Sequence, residues 1–522
     1  MHRTIKDAAL ALSLSNLSFL SAWQILLNPN HYSYYNWRNI PGLIEFAALA
    51  VDIFLLAALF WVLITVARRW EKPLIMELAR WATLLILIIP IDSLLHMDRG
   101  TTLLGAPLDK KRLLLALVVS VAMLIVLVLN RRTAKRAAVA VVLILSPSVL
   151  VNFAVGLWLA ERHRPSAESF QDKLTSSFVP ETRSGPHILW IIFDEMDQQV
   201  AFAERPSSID LPELDLLRHQ AIFAVNAFPP AGATLLSIPA LTTGKFVSGA
   251  TPVRPDDLEL VFTDNKVSGW STEPNVFSRA RQTGFRTAVV GWYLPYCRVL
   301  GSSLDFCAWQ PVTDQVNPVP GQFTLAKGMR LWARDALYSV PFMFRVLTEQ
   351  HENGRRDHAS EYHKIMAQAS SVWTREDLNL TLLHFPIPHA PWIYDWKEDS
   401  LSNGPETSYL GNLVLVDRTL SELRRSLELA GLWDRSTILV TSDHWWRESP
   451  TLNGKRDHRV PFILKMAGQK QGSSYDRAFN TIVTQDLLLE LLQGKLSDTN
   501  SVLGWLDQHR SIGESPLTKQ LP

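Results

Sequence analysis

Over the first 160 residues, apolar positions come in long uninterrupted blocks rather than at the spacing of a soluble helix face. Five such stretches, about residues 8–27, 43–66, 81–97, 113–129 and 137–159, are each near the length that crosses a bilayer. The pattern predicts an N-terminal bundle of about five transmembrane helices, residues 1–160. The second and fourth stretches are strongly apolar, whereas the first carries Ser13, Ser15, Asn16 and Ser18, and the third is short with Pro90 and Asp92. The first is longer than a signal-peptide core and lacks a clear small-residue cleavage site, which predicts an uncleaved anchor. Basic residues set the orientation. Arg3 and Lys6, then Arg68, Arg69 and Lys72, then Arg131, Arg132, Lys135 and Arg136 fall on one side, the predicted cytoplasmic one, opposed by Arg99, Lys110, Lys111 and Arg112. An odd number of spans places the chain after Glu161 outside.

Beyond residue 160 the pattern changes. Residues 161–186 are polar, with Pro165, Pro180 and Pro186, as expected of a linker. Then HILWIIF, residues 187–193, is a continuous apolar run of strand length, the mark of a strand buried on both faces in a parallel sheet. Strand and helix patterns alternate from there: AIFAVNAF, a helix near Thr234, a helix near residues 276–281 and a strand at 286–292. LNLTLLHF, STILVT and VPFILKM read as further strands. Between residues 408 and 430, Val416, Leu420, Leu423, Leu427 and Ala430 recur at helical spacing up to Gly431, and residues 481–492 form a closing amphipathic helix. The alternation predicts an α/β domain over residues 187–497 with a mixed, mostly parallel sheet between helices, and a tail at 498–522. Residues 323–377 read as a helical insertion without motifs.

Composition sharpens this picture in three places. Hydrophobic residues make up 47% of the 522, which fits a chain partly in a membrane. The 51 basic and 50 acidic residues leave a net charge of +1, so the broad basic field that nucleic-acid binding needs is missing. The two cysteines, Cys297 and Cys307, exclude a multi-thiolate zinc finger, and on the outer side of a membrane they predict a disulfide.

Candidate chemistry gathers at strand ends. Asp194 and Glu195 follow HILWIIF, and Asp443 and His444 follow STILVT. Ligands collect at the carboxyl ends of strands in open α/β sheets. In AGATLLSIPALTTGK, residues 231–245, Pro229, Pro230 and Gly232 delay a helix until about Thr234, and Gly244 stops it. Two readings are open for Thr234: a cap of a buried helix, or a nucleophile at a positive helix end that favours anions. His384 and His389 lie at or just beyond another strand end, and Lys455, Asp457 and His458 precede VPFILKM. Mixed oxygen and imidazole ligands from Asp194, Glu195, Thr234, Asp443 and His444 suit a divalent metal, zinc or manganese. His389, His458 and Lys455 would hold anionic oxygens or protonate a leaving group.

The ordered set of Asp194-Glu195, the Thr234 helix ending in Thr243-Gly244-Lys245, Pro388-His389-Ala390-Pro391, Tyr409 to Asp417, Gly431-Leu432-Trp433-Asp434 and Thr441-Ser442-Asp443-His444 resembles the sulfatase-like branch of the alkaline phosphatase superfamily. With its apolar N-terminal blocks, the chain resembles the membrane-anchored phosphoethanolamine transferases and lipoteichoic acid synthases. That resemblance implies a Thr nucleophile at Thr234, metal contacts from Asp194 or Glu195, Thr234, Asp443 and His444, and His389 and His458 on the substrate side. It also implies a multi-pass protein of the bacterial inner membrane with its catalytic domain on the periplasmic or extracellular side. The expected function is transfer of a phospholipid-derived phospho-headgroup, through a phospho-Thr intermediate, to an envelope glycan or lipid. Sulfatase-like hydrolysis of a phosphodiester or sulfuric ester is the alternative, and a non-catalytic membrane scaffold the third reading. Formylglycine sulfatases require Cys/Ser-x-Pro-x-Arg; here Leu241 stands at the Arg position after Ser237 and Pro239, and Trp445 stands where glycine often follows Ser-Asp-His.

Overall fold

The structure is a computed structural model that describes residues 2–27, 43–69, 131–162, 185–254, 256–312, 324–338, 350–509, 513 and 515. The chain divides into two compact units, one of residues 1–31, 39–166 and 318–348, the other of residues 32–38, 167–317 and 349–522.

In the first unit, two of the five expected spans are helical segments of membrane-crossing length and composition, Leu43–Val66 and Val139–Leu159. Phe54, Leu55, Leu59 and Leu63 on one, and Leu150, Val151 and Leu157 on the other, are exposed, an arrangement that costs in water and suits lipid. The expected spans at 81–97 and 113–129 lie outside the described residues. The first stretch is divided at Phe19 into helices His2–Ser18 and Leu20–Leu27, neither long enough to cross alone. Its polar residues have a packing role: Ser13 Oγ donates to the Val142 carbonyl at 2.6 Å and Ser15 Oγ to the Ile53 carbonyl at 2.6 Å, ties between helices that need no water. The helix Leu325–Tyr338, from the stretch read as an insertion, belongs to this unit, where buried Trp332 donates its indole N–H to the Glu45 carbonyl at 3.0 Å.

The second unit is built on an eight-stranded sheet. Its strands are β1 (His187–Phe193), β2 (Ile222–Ala224), β3 (Thr287–Trp292), β4 (Phe306–Gln310), β5 (Leu380–Phe385), β6 (Ser436–Thr441), β7 (Phe462–Lys465) and β8 (Ser473–Tyr475). They lie in the order β8-β2-β7-β6-β1-β5-β3-β4, and only β7 runs antiparallel to its neighbours. All seven residues of β1 are buried, because apolar layers cover both faces: Trp190 and Ile192 face one core, Leu189, Ile191 and Phe193 the other. The helix Tyr409–Leu429 buries Val416, Leu420, Leu423 and Leu427 as the periodicity predicts, while Ala430 is its exposed C-cap. The closing helix is shorter than its pattern, a 3₁₀ turn at Thr481–Val483 leading into Thr484–Leu492. In the tail, Thr499–His509 is a helix that buries Val502, Trp505 and Leu506.

Register decides where the chemistry sits. In the parallel arrangement Ile192 of β1 lies opposite Thr441 of β6 on one side and His384 of β5 on the other. The residues that follow, Asp194 and Ser442-Asp443-His444, therefore emerge at one level on one edge, beside His384.

Candidate active site

Each piece of the edge is held by the backbone beneath it. Ser442 Oγ accepts the Met196 N–H at 2.9 Å and lies 2.7 Å from the Phe193 carbonyl, tying the ends of β1 and β6 together. Glu195 has φ of +63°, a left-handed conformation costly for a side chain with Cβ. The reversal is held by its N–H on Asp443 Oδ1 at 3.3 Å and its carbonyl on the Tyr409 hydroxyl at 2.8 Å. It turns the two adjacent acids to different partners. Asp194 points at the cluster, while the Glu195 carboxylate pairs with Arg447 at 2.8 Å.

Thr234 is the first residue of the helix Thr234–Thr243, whose N-cap is Ala233 with no side-chain capping bond. The capping reading therefore falls, and the hydroxyl is directed elsewhere. Thr234 Oγ1 is 3.3 Å from Asp194 Oδ2 and 3.3 Å from His444 Nε2, beside the helix's unshared first N–H groups. Gly244, at φ +66°, ends the helix in the left-handed C-cap predicted for it. Ser237 turns inward and donates to the Asp443 carbonyl at 2.6 Å, and Leu241 is buried in the core, so this helix presents one reactive hydroxyl at the edge, Thr234.

One ligand atom each from Asp194, Asp443 and His444 lie within 4.8 Å of one another, and all three residues are fully buried. Asp194 Oδ1 and Asp443 Oδ2 are buried with no hydrogen-bond partner, a costly state for carboxylates that a cation would relieve. The donor set of two carboxylates and an imidazole fits a divalent metal, so the residues present fit the group. The electrostatics agree. Burial and the neighbouring Asp194 charge push the Asp443 carboxyl up. Burial also opposes ionisation of Asp194, but His389, His384 and His444 outweigh it and hold that carboxyl below the usual range. The His444 imidazole is raised, because Asp443, Asp194 and Glu195 overcome its burial.

His389 follows β5 in a loop with cis peptide bonds before Pro388 and Pro391. Its N–H donates to the Asp194 carbonyl at 3.1 Å, and its ring lies against Trp292, centroids 5.2 Å apart. Behind it the helix Gln350–Ser370 delivers two buried groups that the motif-poor pattern gave no sign of. Burial holds the His358 imidazole down at about 3, so it is neutral and donates Nε2–H to the Pro386 carbonyl at 2.9 Å. Burial also raises Glu361 well above the usual range, and its Oε2 accepts the Trp292 indole N–H at 2.8 Å. The His458 ring lies tilted against Trp445, centroids 4.3 Å apart, so the bulky residue where glycine often stands forms a wall for it. Lys455 is exposed and sits 2.6 Å from Glu204 in a surface ion pair. The structure thus brings together Asp194, Thr234, Asp443 and His444, sets His389 beside them, pairs Glu195 with Arg447 and places Lys455 on the surface. Sequence reasoning missed Arg447; its position three residues past His444, on the same strand-end loop, was the available signal.

A mostly parallel sheet carrying two buried carboxylates, an imidazole and a helix-start hydroxyl at one strand edge defines an α/β enzyme of metal-assisted ester chemistry. The Sulfatase family model matches residues 186–493, more than half of the chain, and the chain belongs to the sulfatase family. Metal dependence is typical of that family. No curated protein sequence matches. Among solved structures, the chain is similar to a Bacteroides thetaiotaomicron protein described with the metabolism of multiple glycosaminoglycans (TM-score 0.42, 14% identity, 62% of this chain and 82% of that one). It is similar also to a phosphonate monoester hydrolase of Agrobacterium radiobacter (TM-score 0.35, 14% identity, 59% and 77% covered). A third is a Vibrio parahaemolyticus protein of the alkaline phosphatase superfamily (TM-score 0.36, 12% identity, 61% and 72% covered).

Proposed function

We propose that the protein is a membrane-anchored, metal-dependent transferase that moves a phospholipid-derived phospho-headgroup to an envelope glycan or lipid. The observation that carries this reading is the Thr234 hydroxyl, not used as a cap and 3.3 Å from both Asp194 Oδ2 and His444 Nε2. The membrane-length helices Leu43–Val66 and Val139–Leu159 support a lipid donor, and the Cys297–Cys307 disulfide fits an oxidising, extracytoplasmic location of the catalytic domain. The setting follows as a bacterial inner membrane with the domain on its periplasmic or extracellular face.

A zinc or manganese ion held by Asp194, Asp443 and His444 supplies positive charge that lowers the hydroxyl's pKa and neutralises charge on the phosphoryl oxygens. The chain's own residues do the rest. Asp194 Oδ2 takes the hydrogen bond from Thr234 and so aims Oγ1 at phosphorus, the hydroxyl proton leaving to solvent as the new bond forms. The Thr234–phosphorus bond forms and the ester bond to the diacylglycerol oxygen breaks, that oxygen receiving a proton from His389 or His458. An acceptor hydroxyl then attacks the phospho-Thr, its proton passing to the same histidine, and the Thr234–phosphorus bond breaks as Oγ1 takes back a proton from solvent. With water as acceptor the same steps amount to hydrolysis.

Incubation of the full chain with phospholipid, followed by mass spectrometry of the Thr234 peptide, tests this reading. A phospho-headgroup adduct on Thr234, lost in Thr234→Ala together with activity, is expected. Full activity in Thr234→Ala with no adduct in wild type overturns it, and release of free headgroup without acceptor moves the assignment to hydrolysis.

A further inference from the structure

A line of buried polar groups runs away from the cluster on the β5 side. His384 is fully buried, with Nε2 3.5 Å from Asp194 Oδ2 and Nδ1 2.8 Å from the Tyr296 hydroxyl. Tyr296, also fully buried, opens the short helix Tyr296–Val299. Three features set the place of its ring. A Cβ at Gly291 of β3 would sit 2.3 Å from Tyr296 Cε2, so only glycine lets the ring lie on that strand. The Trp270 ring meets it edge-on, centroids 6.1 Å apart, and the His384 ring is perpendicular to it. The next residue, Cys297, is bonded to Cys307 of β4, Cα atoms 5.5 Å apart, which fastens the helix to the sheet.

We propose that Tyr296 and His384 are positioning residues that hold Asp194 as a metal ligand, with the Cys297–Cys307 disulfide keeping Tyr296 in place. Tyr296 and His384 share one hydrogen bond, and His384 Nε2 meets the carboxylate at 3.5 Å as an electrostatic contact. The phenol O–H donates to Nδ1, which leaves the proton on Nε2, facing the carboxylate. Asp194 then has Oδ2 turned to His384 and Thr234, while Oδ1 has no hydrogen-bond partner and is open to a cation. Outer groups of this kind fix the orientation of a ligand, and their loss typically costs about 10–100-fold in metal affinity. The inference rests on the metal site, not on the identity of donor or acceptor.

The test measures metal affinity without substrate. Full-length protein in detergent is stripped with a chelator and titrated with Zn²⁺ or Mn²⁺ in competition with a chromophoric chelator. Tyr296→Phe keeps the ring over Gly291 and removes only the hydroxyl, so its thermal unfolding should match wild type while its metal dissociation constant rises about tenfold. His384→Gln should raise it about 10–100-fold, with stoichiometry unchanged and turnover restored by excess metal. Cys297→Ser/Cys307→Ser should weaken binding in the same direction as Tyr296→Phe. Wild-type affinity, within twofold, in both Tyr296→Phe and His384→Gln overturns the proposal. Wild-type affinity in the double serine variant alone overturns the part assigned to the disulfide. A wild-type protein that binds neither metal overturns the metal-site reading itself, and the inference with it.

Discussion

Asp443→Asn separates what the site needs from what the fold would prefer. The ligand atoms of Asp194 and Asp443 lie no more than 4.8 Å apart, where two unit charges repel by about 3.5 kcal/mol at an effective dielectric of about 20. The His444 imidazole, 3.4 Å from Asp443 Oδ2, attracts that charge by a comparable amount, but burial adds to the repulsion and the balance still pushes the Asp443 carboxyl up, so removing the charge should gain roughly 1–2 kcal/mol, or roughly 2–5 °C in Tm for a domain of this size. The metal-free variant should therefore unfold at higher temperature than metal-free wild type. Metal reverses the order, since a ligand at a hundred times its dissociation constant adds about 2.7 kcal/mol to a protein that binds it only when folded. The assay is thermal unfolding of both proteins in detergent, with a chelator and then with Zn²⁺ or Mn²⁺. Wild type should gain stability with metal and Asp443→Asn should not. A variant that is less stable than wild type without metal and still gains the full shift with it refutes the account of Asp443 as a ligand in a repelling pair.

Ser237→Ala removes a hydroxyl that bonds the Asp443 carbonyl, so it should cost about 1–3 kcal/mol in unfolding free energy yet keep turnover within about fivefold. Loss of turnover comparable to Thr234→Ala, which should be on the order of a thousandfold or more, would exchange the nucleophile. Lys455→Ala, at an exposed pair with Glu204, should change stability by less than about 1 kcal/mol and leave kcat/KM near wild type; a large fall in kcat would place Lys455 in the chemistry. Burial pushes the Asp197 carboxyl up to about 7, above its unfolded value, so the stability it contributes is complete below pH of about 4 and is lost as pH rises through about 7. That loss is about 4 kcal/mol, and Asp197→Asn, which can keep the bonds from the Gln199 and Val200 N–H groups, should remove it. Urea unfolding at pH 4 and pH 8 checks this, and an unchanged pH slope refutes it.

The elements legible in the sequence were those whose patterns are local. HILWIIF reads as a doubly buried strand because every residue is apolar, and Gly244 reads as a helix stop because its φ of +66° suits glycine. The strand-end acids and Thr234 were legible as a set for the same reason. What was not legible depends on direction. Adjacent Asp194 and Glu195 are equivalent as text, and only the left-handed turn at Glu195, held by Tyr409 and Asp443, sends one to the cluster and the other to Arg447. Tyr296, His358 and Glu361 reach the site through β3, β5 and the Trp292 ring, partners 28 to 88 positions away that no spacing marks. The N-terminal blocks show length and composition directly, yet the first is broken at Phe19, and its serines serve neighbouring helices rather than a continuous span.

The bond from the Glu195 N–H to Asp443 spans 248 positions, and it closes the edge at which Thr234 meets Asp194 and His444. At synthesis rates of about 5–20 residues per second, roughly 12–50 s separate the emergence of the two ends. For most of that interval the Thr234–Thr243 segment is made but β6 is not, so the growing chain has the hydroxyl without Asp443 and His444. A nascent chain lacks the assembled cluster until β6 docks beside β1, and a chain that stalls before residue 436 never gains it.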